Sequence, residues 1–341
     1  MVIIESYSVA VLMCIITMLC WGSWANTQKL ASKEWRFQLF YWDYSIGVVL
    51  LTLLLALTMG NTGAQGRGFF ADLAQAGPAF IGSAILGGIV FNVANILLVA
   101  AIDIAGLAVA FPVGIGIALV WGVVQNYIAV PKGNPALLFL GVAGVAVAII
   151  LNAVAYRRLP SAGQKTTGKG LGISVLAGVL MGFFYRFVVA AMPEKLADLA
   201  LPTEAGKLTP YTALVFFSLG LFLSNFVLNT IVMVRPFTGD PVPLGDYFRK
   251  GNPRLHVIGI LGGMIWGVGM SFAILASDSA GPAISYGLGQ GATMIAAAWG
   301  VFIWKEFKTA PAGTNRLLGL MFICFIVGLG LIVYAKAAAG A

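Results

Sequence analysis

The chain alternates long apolar runs with short polar connections. A helix needs about 20 predominantly apolar residues to cross the hydrocarbon core of a bilayer. Ten runs approach or exceed this length, and each predicts one membrane-spanning helix. They cover residues 8–28, 40–61, 77–102, 107–130, 136–156, 171–192, 211–234, 255–276, 283–304 and 317–334. The pattern therefore predicts an all-α membrane protein with ten transmembrane helices.

The composition agrees with this pattern and leaves no room for a separate soluble domain. Of the 341 residues, 60% are hydrophobic and 9% are charged, against about 25% charged in an average soluble domain. All three cysteines, Cys14, Cys20 and Cys324, fall inside apolar runs, so they form neither a disulfide framework nor a metal-ligand spacing. No catalytic constellation is evident, and we expect a non-enzymatic protein without a cofactor or metal.

The basic residues are distributed asymmetrically between the two faces of the membrane. Loops after the odd-numbered segments carry 14 Lys and Arg residues, and the opposite face carries 5. The positive-inside rule then places the odd-numbered loops in the cytoplasm and both termini outside, in a multi-pass protein of the plasma (inner) membrane. The same rule explains the net charge of +8 without nucleic-acid binding, which we do not expect.

An internal repeat divides the chain into two halves. The sequence AILGGIVFNVANILLVAAIDIAGLAVAFPVGIGI, from Ala84, aligns without gaps on GILGGMIWGVGMSFAILASDSAGPAISYGLGQGA, from Gly259. Weaker similarity relates Trp21-Gly22 to Met181-Gly182, and residues 44–47 to residues 217–220. The predicted units are 1–160 and 161–341, with five helices each. An odd number of helices inverts the second unit, and such 5+5 inverted repeats are a secondary-transporter architecture with alternating access.

Two charged side chains lie within the predicted helix cores, Asp43 and Arg186. Ions are costly at such depths, so both are functional candidates. Helix lengths place them in opposite thirds of the bilayer, which argues against a salt bridge between them. Asp43 could pair with Lys29 or Arg36, and it is either a proton-coupling acid or an interfacial anchor in an aromatic belt. Arg186 could gate the site or anchor a substrate, or reach the outer surface.

Neutral polar and aromatic side chains recur within the helix cores, and they suit a small, neutral, hydrogen-bonding solute. Each could instead join helices to one another. The candidate binding residues are Trp21, Trp24, Asn26, Asn92, Asn95, Asn225, Trp266, Tyr286 and Gln290.

Three further polar residues have structural interpretations that compete with functional ones. Asp103 and Asp278 occupy equivalent short turns before a helix, where N-capping is favoured over paired gates. His256, the only histidine, opens an apolar segment, where an interfacial position is favoured over a proton relay.

Two motifs resemble a known family. Trp21-Gly22-Ser23-Trp24, followed by QLFYWDYSI at residues 38–46, resembles the first two helices of ureide permeases. The ten helices and the 5+5 repeat resemble the drug/metabolite transporter superfamily more broadly. The large central loop of plant members shrinks here to residues 157–169, which fits the related bacterial branch of glucose and ribose uptake proteins.

The resemblance implies a proton-coupled importer of a ureide, nucleobase or monosaccharide, with Asp43 as the proton-responsive acid. Its partners would be the small-molecule substrate, protons and the lipid bilayer, and the chain could form a homodimer. An exporter of cationic or lipophilic compounds is the alternative. It would require a membrane-embedded acid at mid-depth, and the sequence has none there.

Overall fold

The computed structural model describes residues 1–63, 65–159 and 168–339, and its regular elements are helical. Within these ranges, nine helices are long and apolar enough to cross a membrane. The α-helices, in chain order, are α1 Tyr7–Ser23, α2 Ala25–Ala31, α3 Phe37–Leu57, α4 Phe69–Gln75, α5 Pro78–Ala105, α6 Leu107–Ala129, α7 Pro135–Arg157, α8 Gly168–Ala190, α9 Pro210–Val234, α10 Asp246–Arg249, α11 Pro253–Ala280, α12 Pro282–Gly289, α13 Ala292–Ala298 and α14 Thr314–Ala337. The prediction of an all-α membrane protein is confirmed.

Local sequence explains where several of these helices begin. Pro78, Pro135, Pro210, Pro253 and Pro282 each occupy the first helical turn, where the missing N–H costs no hydrogen bond. Side-chain oxygens of the preceding residue cap three of these turns by accepting a backbone N–H. The three capping residues are Asn134, Thr209 and Asn252.

The ninth predicted segment, 283–304, is not one continuous helix. It comprises α12, α13 and a π-helical turn at Trp299–Ile303. This division explains why nine continuous helices, rather than ten, reach membrane-spanning length in the described residues. That the broken segment forms a tenth crossing stays a prediction.

The third helix of each predicted half packs against helices of both halves. The third helix of the first half, α5, packs on α8 and α9, and its counterpart α11 packs on α1 and α3. A Cβ on Gly88 would lie 2.0 Å from Phe217 O, and a Cβ on the equivalent Gly263 would lie 1.9 Å from Tyr44 O. Only glycine permits these close crossings, as small residues do generally in membrane helix pairs. The inversion of one half relative to the other stays a prediction.

The capping interpretation of Asp103 and Asp278 is wrong. Both residues lie inside the preceding helix, α5 or α11, near its end. Gly106 and Gly281 make the turns into α6 and α12, with φ of 80° and 92°, a region that disfavours side chains. Asp278 instead accepts a backbone hydrogen bond from Leu196 at 3.1 Å.

Candidate functional site

A central cavity of about 120 Å³ lies between the two halves of the chain. Helices α1, α5 and α6 contribute to its wall from the first half, and α8, α11 and α13 contribute from the second. The lining residues are Trp21, Trp24, Phe91, Asn95, Leu98, Phe111, Ile115, Met181, Phe184, Trp266, Gln290, Ala292, Thr293 and Ala296.

Residues at equivalent positions of the two repeats line this cavity in pairs. Phe91 and Trp266 occupy matching positions, and their ring centroids are 4.4 Å apart. Trp266 also stacks on Trp21, with an interplanar angle of 12° and centroids 5.9 Å apart. Met181, the equivalent of Trp21, lines the same cavity. The cavity therefore lies where the two repeats meet, as expected for a transporter binding site.

The polar lining of the central cavity is neutral. Asn95 and Gln290 are its amides, exposed by only 6% and 7%, and Thr293 adds a hydroxyl. The Asn95 amide donates a 3.0 Å hydrogen bond to Tyr41 Oη, which holds its orientation. No charged side chain lines the cavity within the described residues. Aromatic walls with a few oriented amides can bind a small uncharged solute.

The structure brings together five of the nine predicted binding residues. Trp21, Trp24, Asn95, Trp266 and Gln290 all line the central cavity.

The other four predicted binding residues lie elsewhere, each in contact with a neighbouring helix or cavity. Asn92 donates to Asn225 Oδ1 at 2.9 Å and so joins α5 to α9. Tyr286 donates to the backbone oxygens of Ala118 and Met181. Asn26 lines a second, adjoining cavity. Asn92 and Asn95 share a face of α5 but lie one helical turn apart. Asn95 therefore faces the cavity, whereas Asn92 lies in the α5–α9 interface.

Asp43 lies in a buried cluster that joins the two halves. Its side chain is 1% exposed, on α3. His256 Nδ1, on α11, is 2.9 Å from Asp43 Oδ1 and 3.1 Å from Oδ2. Tyr247 donates its phenolic hydrogen to Oδ1 at 2.5 Å, and Trp35 donates to Oδ2 at 3.3 Å. This Asp43 cluster satisfies both carboxylate oxygens with groups from both halves of the chain.

The phenol of Tyr247 is a hydrogen-bond donor over the whole physiological pH range. Burial raises the pKa of Tyr247 above its ordinary value, and the hydrogen bond and charge of Asp43 raise it further. The phenol therefore stays protonated and remains a donor to the Asp43 carboxylate.

Aromatic contacts connect the Asp43 cluster with the central cavity. Tyr44, the next residue on α3, contacts Trp24 with ring centroids 4.9 Å apart, and Trp266 at 6.2 Å. Tyr41, which accepts the Asn95 hydrogen bond, stacks on Tyr44. A movement of α3 at Asp43 would therefore reach two of the cavity's indole walls.

The predicted cationic partners of Asp43 are elsewhere. Lys29 pairs with Glu306 at 2.7 Å, and Arg36 donates to the backbone oxygen of Asp240 at 2.9 Å. Asp43 contacts His256 instead, and the expectation of a purely interfacial histidine overlooked this contact. Arg186 is half-buried and lies 3.5 Å from the backbone oxygen of Gln125 on α6; it does not line the central cavity.

A sequence signal for the Asp43–His256 contact exists. Each residue follows an odd-numbered loop and lies near the start of an apolar segment, so both lie at similar depth on one face. The repeat also pairs α3 with α11 through close glycine crossings. Gly259 faces Asp43 directly, since a Cβ there would lie 2.4 Å from the Asp43 Cβ.

Comparison with known proteins places these features in a family. The ureide permease family model matches residues 40–166 and 156–335. Ureide permease 1 of Arabidopsis thaliana is 24% identical over 98% of each chain. A Streptococcus agalactiae protein, whose name proposes sugar uptake, is 23% identical over 49% of this chain and 58% of its own. A solved crystal structure, 15% identical, superposes with a TM-score of 0.60 over 98% of this chain and 100% of its own.

Proposed function

This chain belongs to the ureide permease family, and on that premise we propose that it imports a small neutral polar metabolite by proton symport. The family makes it a membrane transporter of small metabolites rather than an enzyme. The proposed substrate is a ureide, nucleobase or monosaccharide.

The central cavity is the observation that carries this proposal. Its lining combines stacked indoles with two amides, of which Asn95 is held by a hydrogen bond to Tyr41, and contains no ion among the described residues. A charged substrate would be left there without a counter-ion, at a large desolvation cost. A flat or hydroxylated neutral solute can cover the aromatic faces and exchange hydrogen bonds with Asn95 and Gln290.

The Asp43 cluster is the proposed proton site. Asp43 and His256 belong to different halves, so adding or removing a proton changes an interaction between α3 and α11 directly. The Asp43 side chain is 1% exposed and His256 is 28% exposed, so a change in this contact affects the buried carboxylate most. Alternating access needs such a bistable contact, and Tyr44 extends it to the cavity.

The proposed setting is the plasma membrane, with both termini on the outer side. The bias of Lys and Arg toward the odd-numbered loops supports it. The Asp43 cluster then lies toward the cytoplasm. Release of a proton to the cytoplasm would then occur at this inner cluster.

A ligand screen on the purified protein tests the substrate class. A ligand that binds the folded state stabilises it by mass action, by about 2.7 kcal/mol at a concentration of 100 Kd. We expect a rise in melting temperature with a ureide, a purine, a pyrimidine or a monosaccharide, and none with a quaternary ammonium compound. Stabilisation by lipophilic cations alone would contradict the proposal and favour an exporter.

A further inference from the structure

A second cavity of about 220 Å³ adjoins the central one, and we call it the inner cavity. Phe111 and Ala296 line both cavities, so the two spaces are neighbours. Its walls come from α1, α2, α6, α7, α13 and the π-helical turn. It lies on the face that carries Lys29 and the loop after segment 283–304, which the charge bias places in the cytoplasm.

An ion pair lies at the mouth of the inner cavity. Lys29 Nζ is 2.7 Å from Glu306 Oε1 and 4.2 Å from the centre of the Trp304 ring. Tyr156 donates to Glu306 Oε2 at 2.9 Å. The two charged side chains are 45% and 31% exposed. Exposed ion pairs contribute about 0–1 kcal/mol, so this contact can form and break at little cost.

Deeper in the inner cavity, Asn152 offers an unused hydrogen-bond acceptor. Asn152 is 6% exposed, and its Oδ1 has no hydrogen-bond partner. A buried, unsatisfied polar group costs about 1–3 kcal/mol. Because Oδ1 has almost no exposed area, a solute N–H or O–H recovers this cost once the Asn152 amide turns toward the cavity. Trp299 and Trp304 are held as walls by hydrogen bonds to Ser23 Oγ and Asn26 Oδ1, at 2.8 and 2.6 Å.

The helices around the inner cavity are irregular at the level of this cavity. Pro112 lies inside α6, and the chain after α13 forms the π-helical turn Trp299–Ile303. Such irregularities are frequent at functional sites and can absorb backbone rearrangement. The inner cavity is thus bounded by elements able to move.

We propose that the inner cavity is a second, transient binding site for the neutral solute, with Asn152 as its acceptor and the Lys29–Glu306 pair as its gate. The ligand must carry an N–H or O–H donor for Asn152 Oδ1, and it must be small enough to pass Phe111. This inference rests on the proposed transport function, and its own readout is the number of binding sites.

Equilibrium binding of the ureide allantoin and of ribose to the purified protein tests the second site. We expect two solute molecules per chain for one of these probes, the weaker one lost in Asn152→Leu. The matched control is Asn126→Leu, because Asn126 also has a buried, unpartnered Oδ1 but lies outside both cavities. Saturation at one molecule per chain, or two sites retained in Asn152→Leu, overturns the proposal. Binding of neither probe also overturns it.

Solute exchange across proteoliposomes tests the gate. Lys29→Glu places two acids at the mouth, and we expect severalfold faster exchange of the bound probe; Lys29→Glu with Glu306→Lys should restore the wild-type rate. Unchanged exchange in Lys29→Glu overturns the gate while wild-type uptake still supports the transport function. Two binding sites without pH-driven uptake would instead reject proton symport and retain the second site.

Discussion

Asp43 has no acidic counterpart in the repeat, since the equivalent residue of the second half is Phe216. A residue required by the fold of both halves would be expected in both. Its carboxylate contacts His256, Tyr247 and Trp35 while nearly fully buried. This asymmetry suits a coupling site, because only one proton-responsive contact is needed per transport cycle.

Replacing Asp43 with Asn should separate coupling from binding. Asn preserves the size of the side chain but cannot release a proton, so we expect Asp43→Asn to lose pH-driven accumulation and to retain solute exchange. Proteoliposomes assayed in both modes provide the measurement. The exposed Asp240→Asn is the control and should behave as wild type. Accumulation by Asp43→Asn at the wild-type level would exclude Asp43 as the coupling acid.

Replacing Tyr247 with Phe removes one donor to Asp43 Oδ1. A hydrogen bond to a charged group contributes about 1.5–3 kcal/mol, so a lower melting temperature is expected. The raised pKa of Tyr247 fixes the sign of the pH dependence. The hydrogen bond contributes fully below the ordinary tyrosine pKa of about 10 and is lost as the pH rises through the higher folded value. The melting temperature of Tyr247→Phe should therefore lie below that of the wild type on both sides of neutral pH. Equal melting temperatures across the range from about pH 6 to pH 8 would refute the role of this hydrogen bond.

Asn95 and Asn92 are one helical turn apart and should differ in effect. Asn95 lines the central cavity, and Asn92 joins α5 to α9. We expect Asn95→Ala to weaken solute binding about tenfold, the equivalent of about 1.4 kcal/mol, and also to lower the melting temperature, because the buried Tyr41 hydroxyl loses its hydrogen-bond partner. Asn92→Ala should lower the melting temperature and leave affinity within about twofold. The reverse result would move the binding site away from the central cavity.

The close crossings between helices occur at glycine positions that are visible in the sequence. Gly88 and Gly263 are equivalent in the repeat, and each lets α5 or α11 approach a backbone oxygen. The apolar runs were sufficient to predict the helical class, whereas the pairing of the helices was seen only in the structure. The apolar runs could not predict the break of segment 283–304, because its Gly-rich composition is compatible with both a continuous and a divided helix.

Placing a methyl group at one crossing should destabilise the protein locally. Gly88→Ala would put Cβ 2.0 Å from Phe217 O, and overpacking of this kind costs about 1–3 kcal/mol. Gly82, on the same helix, has no neighbouring atom within 4 Å of the position that a Cβ would take, so Gly82→Ala is the matched control. Thermal unfolding of both variants provides the test. Equal melting temperatures would show that α5 does not cross α9 this closely.

The sequence did not predict the side-chain contacts between distant segments of the chain. Five cavity residues followed from their aromatic or amide character within the helices, but the Asp43–His256 contact joins residues 213 positions apart. Its formation depends on the rotation of α3 and α11 about their axes. Hydropathy determines depth in the bilayer but not this rotation, and so Lys29 and Arg36 looked equally suitable as partners.

In the whole molecule, a neutral cavity lies between two halves that the buried Asp43–His256 contact joins on one face, and we propose that this contact responds to protons. Uphill transport of a neutral solute requires these two features together. The cavity alone would allow facilitated diffusion, and the buried contact alone would be structural. Family membership supports transport of small metabolites, and the coupling of the two features is the central claim.

Accumulation of a labelled neutral solute in proteoliposomes tests this claim most directly. The purified chain would be reconstituted and given an inward proton gradient, with the solute identified by the thermal screen outside. The account predicts accumulation above the external concentration, and its collapse to equilibrium when a protonophore is added. Equilibration without accumulation, or accumulation that the protonophore leaves unchanged, would contradict proton symport by this protein.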